Sequence, residues 1–108
     1  MTPPLATVRV GADGDIVHVA IKGEIDLSNA SDIEGELADA ISNHVTGARV
    51  DLDDVTYIDS VGMRVFFKLV TQLRTAQIGL TLVAAHGSPA RRVMEVSGLI
   101  EFADVQPA

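Results

Sequence analysis

The sequence predicts a single α/β domain in which a mixed β-sheet packs with about three to five helices. Apolar and charged residues alternate in several short segments, which is typical of half-buried strands. Between these segments apolar residues recur every three or four positions, which is typical of amphipathic helices. The predicted element order is β-β-α-β-α-β-α-β. Because strands joined through helices pair in parallel, this order favours one mixed sheet.

The composition agrees with one folded domain that spans residues 1–108, with a core of about residues 5–105. Hydrophobic residues make up 47% of the 108 residues, enough for one compact core. Cysteine is absent, which excludes disulfides, thiolate zinc sites and cysteine nucleophiles. The net charge of −7 disfavours nucleic acid binding, because that affinity depends on cations that meet phosphates.

The chain contains no segment typical of secretion or membrane insertion. Residues 1–4 lack the basic start and apolar run of a signal peptide. The uncharged run over residues 77–90 is interrupted by glycine and proline and is too short to span a bilayer. We therefore expect a cytoplasmic protein.

The N-terminal half is predicted to begin with a hairpin. Residues 7–10 and 16–21 have strand patterns, and Asp13-Gly14 between them favours a tight turn. Residues 22–26 form a strand end or a loop.

A helix follows this segment, with apolar residues at helical spacing from Ala30 to Ile41. Ser28 or Ser31 is its expected N-cap, and Ser31 with Glu34 fits a capping box. The helix is expected to end within residues 43–47, from Asn43 to Gly47.

The C-terminal half is predicted to alternate strands and helices. A third strand at about residues 48–53 leads through residues 55–58 to a second helix, and residues 78–84 form a fourth strand. Ser88 and Pro89 begin a third helix, which Ser97-Gly98 ends. Residues 99–102, with Val105, are expected to add a last edge strand.

Ser60 lies where the third strand is followed by the second helix. Its position favours a helix N-cap, where free backbone N–H groups and the positive end of the helix dipole converge. The same environment suits a phosphate group. From position alone, Ser60 is either a structural cap or a site of modification.

Two enzyme classes fit the residues poorly. A hydrolase serine on a nucleophile elbow needs glycine two residues before it, where this chain has Ile58. The three histidines are better explained as surface residues: His18, His44 and His86. Asp51 and Asp53 match the Asp-x-Asp-x-Val pattern of magnesium-dependent phosphatases, but strand alternation places them on the solvent face.

Three segments in order resemble one family, the sulfate transporter and anti-sigma factor antagonist (STAS) domain. Gly23-Glu24-Ile25-Asp26 resembles its Gly-Glu-hydrophobic-Asp element. Asp59-Ser60-Val61-Gly62-Met63 is similar to its phosphorylation motif, and the segment from Arg92 to Leu99 resembles its last helix. The match in spacing covers about residues 5–105, and it implies a STAS-like fold.

In stand-alone bacterial members of this family, the unphosphorylated domain binds an anti-sigma factor kinase and releases the sigma factor. The resemblance implies that Ser60 is the phosphoacceptor and that the nearby Asp26 contacts the partner. ATP and the catalytic groups belong to the kinase, so the chain is expected to be no enzyme and to need no cofactor or metal. A phosphatase that acts on phospho-Ser60 is an optional second partner. The implied partner-facing residues are Asp26, Asp59, Ser60, Val61, Gly62, Met63 and Arg64.

Two departures from the family motif affect the expected switch. Val61 removes a second hydroxyl, and Arg64, one turn after Ser60, places a cation where it can partly neutralise a phosphate. An accessory subunit of a lipid-type ABC transporter, which also uses a lone STAS domain, is the alternative within the family. A small phosphatase that uses Asp51 and Asp53 is the alternative from another class.

Overall fold

A computed structural model describes residues 4–42 and 44–107 of the chain. Residues 1–3, part of the segment considered for a signal peptide, and Asn43, the start of the predicted helix end, lie outside the described residues. The elements of the described part, in chain order, are β1 (Ala6–Asp13), β2 (Ile16–Ile25), α1 (Ala30–Ala40), β3 (Gly47–Ile58), α2 (Ser60–Thr75), β4 (Gly79–Val83), α3 (Pro89–Ser97), α4 (Leu99–Phe102) and β5 (Asp104–Gln106).

The strands form one mixed sheet whose spatial order, β1-β2-β3-β4-β5, is also their order in the chain. β1 and β2 are antiparallel, and the other three pairs are parallel. Right-handed crossovers that always advance in the same direction place their helices on one face of a sheet. The α/β class and the mixed sheet predicted from the sequence are therefore confirmed.

The core lies between that face of the sheet and the helices. Burial alternates along β2, where Val17, Val19 and Ile21 are buried and the residues between them are exposed. From the helices, Leu37 of α1 and Phe66 of α2 are almost completely buried in the same cluster. Each such side chain contributes about 1.5–3 kcal/mol of hydrophobic stabilisation.

Gly23 allows the chain before β1 to pass close to β2. Its φ is 116°, and a Cβ atom there would lie 2.2 Å from the carbonyl oxygen of Leu5. The same oxygen accepts a hydrogen bond from the backbone N–H of Glu24 at 2.9 Å. The glycine of the Gly-Glu-Ile-Asp element is thus required by the backbone.

The predicted hairpin is confirmed, although its strands are longer than the sequence indicated. Asp13 pairs with Ile16, so the loop is only Gly14-Asp15, and Gly14 has a φ of 62°. β2 continues to Ile25, and β3 runs unbroken to Ile58 rather than ending near residue 53. Pairing with β2 along its length keeps β3 extended.

The predicted cap of α1 was wrong. Asn29 is the N-cap residue, and its side chain makes no capping hydrogen bond. The Ser28 hydroxyl donates to Asp26 instead, and Ser31 lies inside the helix. Glu34, expected in a capping box, forms an ion pair with Lys68 at 2.8 Å.

The predicted limits of α3 are confirmed, but the segment after it differs. The Ser88 hydroxyl accepts from Arg91 N, Pro89 lies at the first turn, and Gly98 ends the helix at a φ of 84°. Leu99–Phe102 forms the short helix α4 instead of the predicted strand, and the last strand is β5. A run of four apolar and charged residues is too short for its periodicity to distinguish helix from strand.

None of the helices in the described part of the chain is both long and apolar enough to cross a membrane.

Candidate functional site

The N-terminus of α2 is capped by Asp59 and not, as predicted, by Ser60. Asp59 has an extended backbone, and its Oδ1 accepts a hydrogen bond from Gly62 N at 2.8 Å. A carboxylate at this position also interacts favourably with the helix dipole. Such a cap contributes about 0.5–2 kcal/mol of stability, and here the aspartate provides it.

Ser60 is therefore the first residue of α2, and its side chain is exposed. The hydroxyl makes no hydrogen bond to any residue in the ranges 4–42 and 44–107. An exposed hydroxyl without a structural partner can be modified with little loss of folding stability.

Asp59 also holds the loop between β2 and α1 against the start of α2. Its Oδ2 accepts a hydrogen bond from Leu27 N at 3.0 Å. Its own backbone N–H donates to the carbonyl oxygen of Ile25 at 3.1 Å. These two bonds join segments more than thirty residues apart and bring the residues next to Asp26 to the Ser60 junction.

Asp26 is organised by its own loop. Its Oδ1 accepts from both the hydroxyl and the backbone N–H of Ser28, at 2.5 and 2.8 Å. The hydrogen bond from the Ser28 hydroxyl is the main cause that lowers the pKa of Asp26 below its ordinary value, and the Ser28 N–H adds to it. The side chain is therefore a fixed negative charge at neutral pH.

Gly62 allows α2 to begin close to the sheet. A Cβ atom at this position would lie 2.9 Å from Cγ2 and 3.0 Å from the carbonyl oxygen of Ile25, and 3.0 Å from Cγ1 of Ile58. Glycine thus brings the start of α2 against the ends of β2 and β3, where Ser60 is presented.

An open groove of about 440 Å3 lies beside Ser60, between α2 and α3. Its lining is mainly apolar, with Arg64 and Ser60 at its polar side. Val96 on α3 is 85% exposed, which is unusual for a branched apolar side chain. The lining residues are Ile58, Asp59, Ser60, Met63, Arg64, Phe67, Val93, Val96 and Ser97.

A family model for the STAS domain matches residues 7–108. The chain belongs to the STAS domain family. The anti-sigma-F factor antagonist RsfB of Mycobacterium tuberculosis is 30% identical over 97 residues, which cover 90% of this chain and 78% of RsfB.

Solved structures show the same fold. The crystal structure of an anti-sigma factor antagonist from Mycobacterium paratuberculosis has a TM-score of 0.87 at 23% identity, and the match covers 100% of this chain and 92% of that one. The Bacillus cell fate determinant SpoIIAA, in its phosphorylated form, has a TM-score of 0.70 at 20% identity, with 94% and 91% of the two chains covered. The relatives of this STAS domain include anti-sigma factor antagonists.

Most of the residues implied by the resemblance lie together in this STAS domain. Asp59, Ser60, Met63 and Arg64 border the groove. Val61 is half-buried on the other side of the α2 N-terminus, where it lines a depression with Ala30 and Arg64. Gly62 allows the start of α2 to approach the sheet, and Asp26 lies in the loop that Asp59 holds against that start.

Asp51 and Asp53 have structural hydrogen bonds in the sheet. Asp53 Oδ1 accepts from Ala85 N at 2.5 Å, and Asp51 Oδ1 accepts from Asp53 N at 2.9 Å. Both side chains are half-buried, and each carboxylate has one oxygen engaged by a backbone N–H group. Asp53 joins the middle of β3 to Ala85, just after the end of β4, and Asp51 accepts from Asp53 within β3, so both carboxylates have a structural role.

The sequence interpretation included Asp26 of the β2–α1 loop but missed Leu27 beside it and the contribution of α3. Leu27 is 74% exposed at the tip of that loop, and Val93 and Val96 form one wall of the groove. Val96 is the residue from which the sequence could have indicated this wall of the groove, because it lies off the buried face that Ala90 and Met94 define on α3. An exposed apolar residue indicates a contact surface when it adjoins a larger apolar patch, as Val96 adjoins the groove.

Proposed function

We propose that this STAS domain is an anti-sigma factor antagonist that is a binding partner and substrate of a serine kinase, and not itself an enzyme. Its unphosphorylated form binds the anti-sigma factor and releases the sigma factor, and phosphorylation of Ser60 ends the association. The family, the antagonist relative RsfB and the phosphorylated form of SpoIIAA support this assignment.

The observation that carries the proposal is the free Ser60 hydroxyl beside an apolar groove. Because Asp59 is the cap, a kinase can modify Ser60 without breaking a hydrogen bond of the fold. Three other hydroxyls are engaged in hydrogen bonds: Thr56 donates to the carbonyl oxygen of Gly23, Ser88 accepts from Arg91 N, and Ser97 donates to the carbonyl oxygen of Met94.

Ser60 is expected to be the sole residue that a cognate anti-sigma kinase phosphorylates. Incubating the kinase and ATP with the wild type should add one phosphate by intact mass, and Ser60→Ala should remain unmodified. Since Asp59 keeps the cap, Ser60→Ala should change the free energy of unfolding by no more than about 0.5 kcal/mol, so the variant stays folded. Comparable incorporation into Ser60→Ala, at Thr56, Ser88 or Ser97, would contradict the assignment.

The groove is the proposed docking surface for the kinase. Burying an exposed valine contributes to affinity, whereas a charge placed there must be desolvated. Val96→Asp is therefore expected to weaken kinase binding at least tenfold, as measured by calorimetry. Val10→Asp makes the same change at a valine that is 55% exposed on β1, away from the groove, and should bind like the wild type. Equal affinities for the two variants would exclude the groove from the interface.

Asp26 is proposed to contribute a fixed charge to the same partner-facing surface. Asp26→Asn keeps the shape and removes the charge that the Ser28 hydrogen bonds stabilise. We expect slower phosphorylation of Ser60 and weaker kinase binding, with the melting temperature as the folding control. Wild-type phosphorylation and affinity in the folded variant would make Asp26 a loop residue without a role in recognition.

A further inference from the structure

The face of the sheet opposite the helices carries basic side chains that the proposed function does not use. Three of them lie on adjacent strands: Arg9 on β1, His18 on β2 and Arg49 on β3. All three are exposed, since they alternate with core residues such as Val19 and Val50. They form a basic cluster on a chain whose net charge is −7.

The strand register brings the cluster around one depression. Gly11, His18 and Arg49 form one row across β1, β2 and β3, and Arg9 with Ala20 lies in the next row on the same face. Neighbouring strands are about 4.8 Å apart, and diagonal positions about 7–8 Å. Because Gly11 and Ala20 have little or no side chain, the long basic side chains surround a depression of about 290 Å3.

Neither arginine of the cluster has an acidic partner among the residues that the structure describes. In the described ranges 4–42 and 44–107, the one ion pair joins Lys68 and Glu34. Asp51 borders the depression, and one of its carboxylate oxygens is occupied by Asp53 N. Two guanidinium groups and an imidazole therefore face one space with their hydrogen-bonding capacity directed to solvent.

We propose that Arg9, His18 and Arg49 form a binding site for the phosphate group of a small hydroxylated molecule, such as a sugar phosphate. Guanidinium groups hold phosphate oxygens through paired hydrogen bonds, and the imidazole N–H adds a further donor. Arg9 also borders a second depression of about 520 Å3, which Lys22 and Asp54 help to line. The Asp54 carboxylate can accept hydrogen bonds from the hydroxyl groups of the ligand, and its charge disfavours a second phosphate in this depression.

This site is separate from the surface around Ser60. Arg49 lies near the beginning of β3 and Ser60 follows its end. At about 3.3 Å per residue the two are roughly 30 Å apart along the strand. A ligand in this depression would not touch the proposed kinase surface. Phosphate binding and kinase binding can therefore be tested separately.

The test is an NMR titration of the 15N-labelled chain with ribose 5-phosphate and with inorganic phosphate, each at an ionic strength fixed with sodium chloride. Saturable shifts are expected at the amides of Gly11, His18, Ala20 and Arg49. Ribose alone should bind more weakly than ribose 5-phosphate. Shifts reproduced by sodium chloride alone, or by acetate with equal affinity, would overturn the phosphate site.

Variants that change a charge test where the ligand binds and whether its binding depends on positive charge. Arg49→Gln and Arg9→Gln are each expected to weaken ribose 5-phosphate binding about fivefold or more, whereas Arg92→Gln, the same change at an exposed arginine of α3, should have no effect. Asp51→Asn retains the acceptor for Asp53 N and removes a negative charge, so it should strengthen binding about twofold or more. Equal loss in Arg49→Gln and Arg92→Gln would show non-specific attraction and refute the site.

Discussion

Phosphorylation of Ser60 is expected to weaken binding to the anti-sigma kinase by about tenfold to a thousandfold while the domain remains folded. The phosphate adds about −1.5 to −2 charges at pH 7. The N-terminus of α2 stabilises an anion by about 0.3–1 kcal/mol, and up to ~2 kcal/mol in partly buried geometry. Asp59 and the ionised Asp26 oppose it, because charges of the same sign near one another repel. Salt and side-chain motion screen that repulsion at the exposed surface, so we expect the domain to remain folded.

The larger effect lies at the interface. In the proposed complex of the unphosphorylated form, the Ser60 hydroxyl and the apolar groove would face the partner. In the proposed complex, a phosphate at the edge of that groove would have to lose its hydration against a partner surface that is shaped for a hydroxyl. An unpaired buried charge costs several kcal/mol, and each 1.4 kcal/mol is about tenfold in affinity. We therefore expect phosphorylation to leave the domain folded and to weaken the complex.

Calorimetry with the purified kinase measures both affinities, and circular dichroism with thermal melting follows the fold. Arg64 lies one turn after Ser60 and is exposed, so we expect it to neutralise part of the charge of a phosphate there. Arg64→Gln should therefore enlarge the difference between the phosphorylated and unphosphorylated forms. Unfolding on phosphorylation, or unchanged affinity, would refute this electrostatic switch.

Gly23→Ala is expected to produce the largest loss of stability among single substitutions of the family motif. Two costs combine, because a φ of 116° is unfavourable for alanine and the new Cβ would lie 2.2 Å from the Leu5 carbonyl oxygen. Backbone strain of this kind costs about 1–3 kcal/mol, and overpacking adds about 1–3 kcal/mol. A loss of about 2–6 kcal/mol in the free energy of unfolding follows, a large share of the stability of a small domain.

Chemical denaturation of the wild type and the variant measures this loss. Gly35→Ala is the matched control, because Gly35 is exposed in α1 and no atom lies within 4 Å of its added Cβ. That change should stabilise the domain by about 0.5–1 kcal/mol, since alanine is the better helix former. Equal midpoints for Gly23→Ala and the wild type would contradict the account of Leu5 and Gly23.

Local signals in the sequence were sufficient for the class of the fold and for several of its boundaries. Asp13-Gly14 gave the hairpin, and Ser88-Pro89 with Gly98 gave both ends of α3. The strand-to-helix junction at Ser60 was also visible, because the spacing of apolar residues changes there. These features depend on residues within one turn or one strand of each other.

The sequence by itself therefore determined an α/β domain with a serine at a strand-to-helix junction. The tertiary structure decided which residue caps that junction, since the two oxygens of Asp59 join Gly62 to the distant Leu27. It also decided the length of β3, the helical state of Leu99–Phe102 and the groove between α2 and α3. Each of these arises from contacts between segments far apart in the chain. Propensity and periodicity act only within a short window, so they carry no information about which distant segment will meet a given side chain.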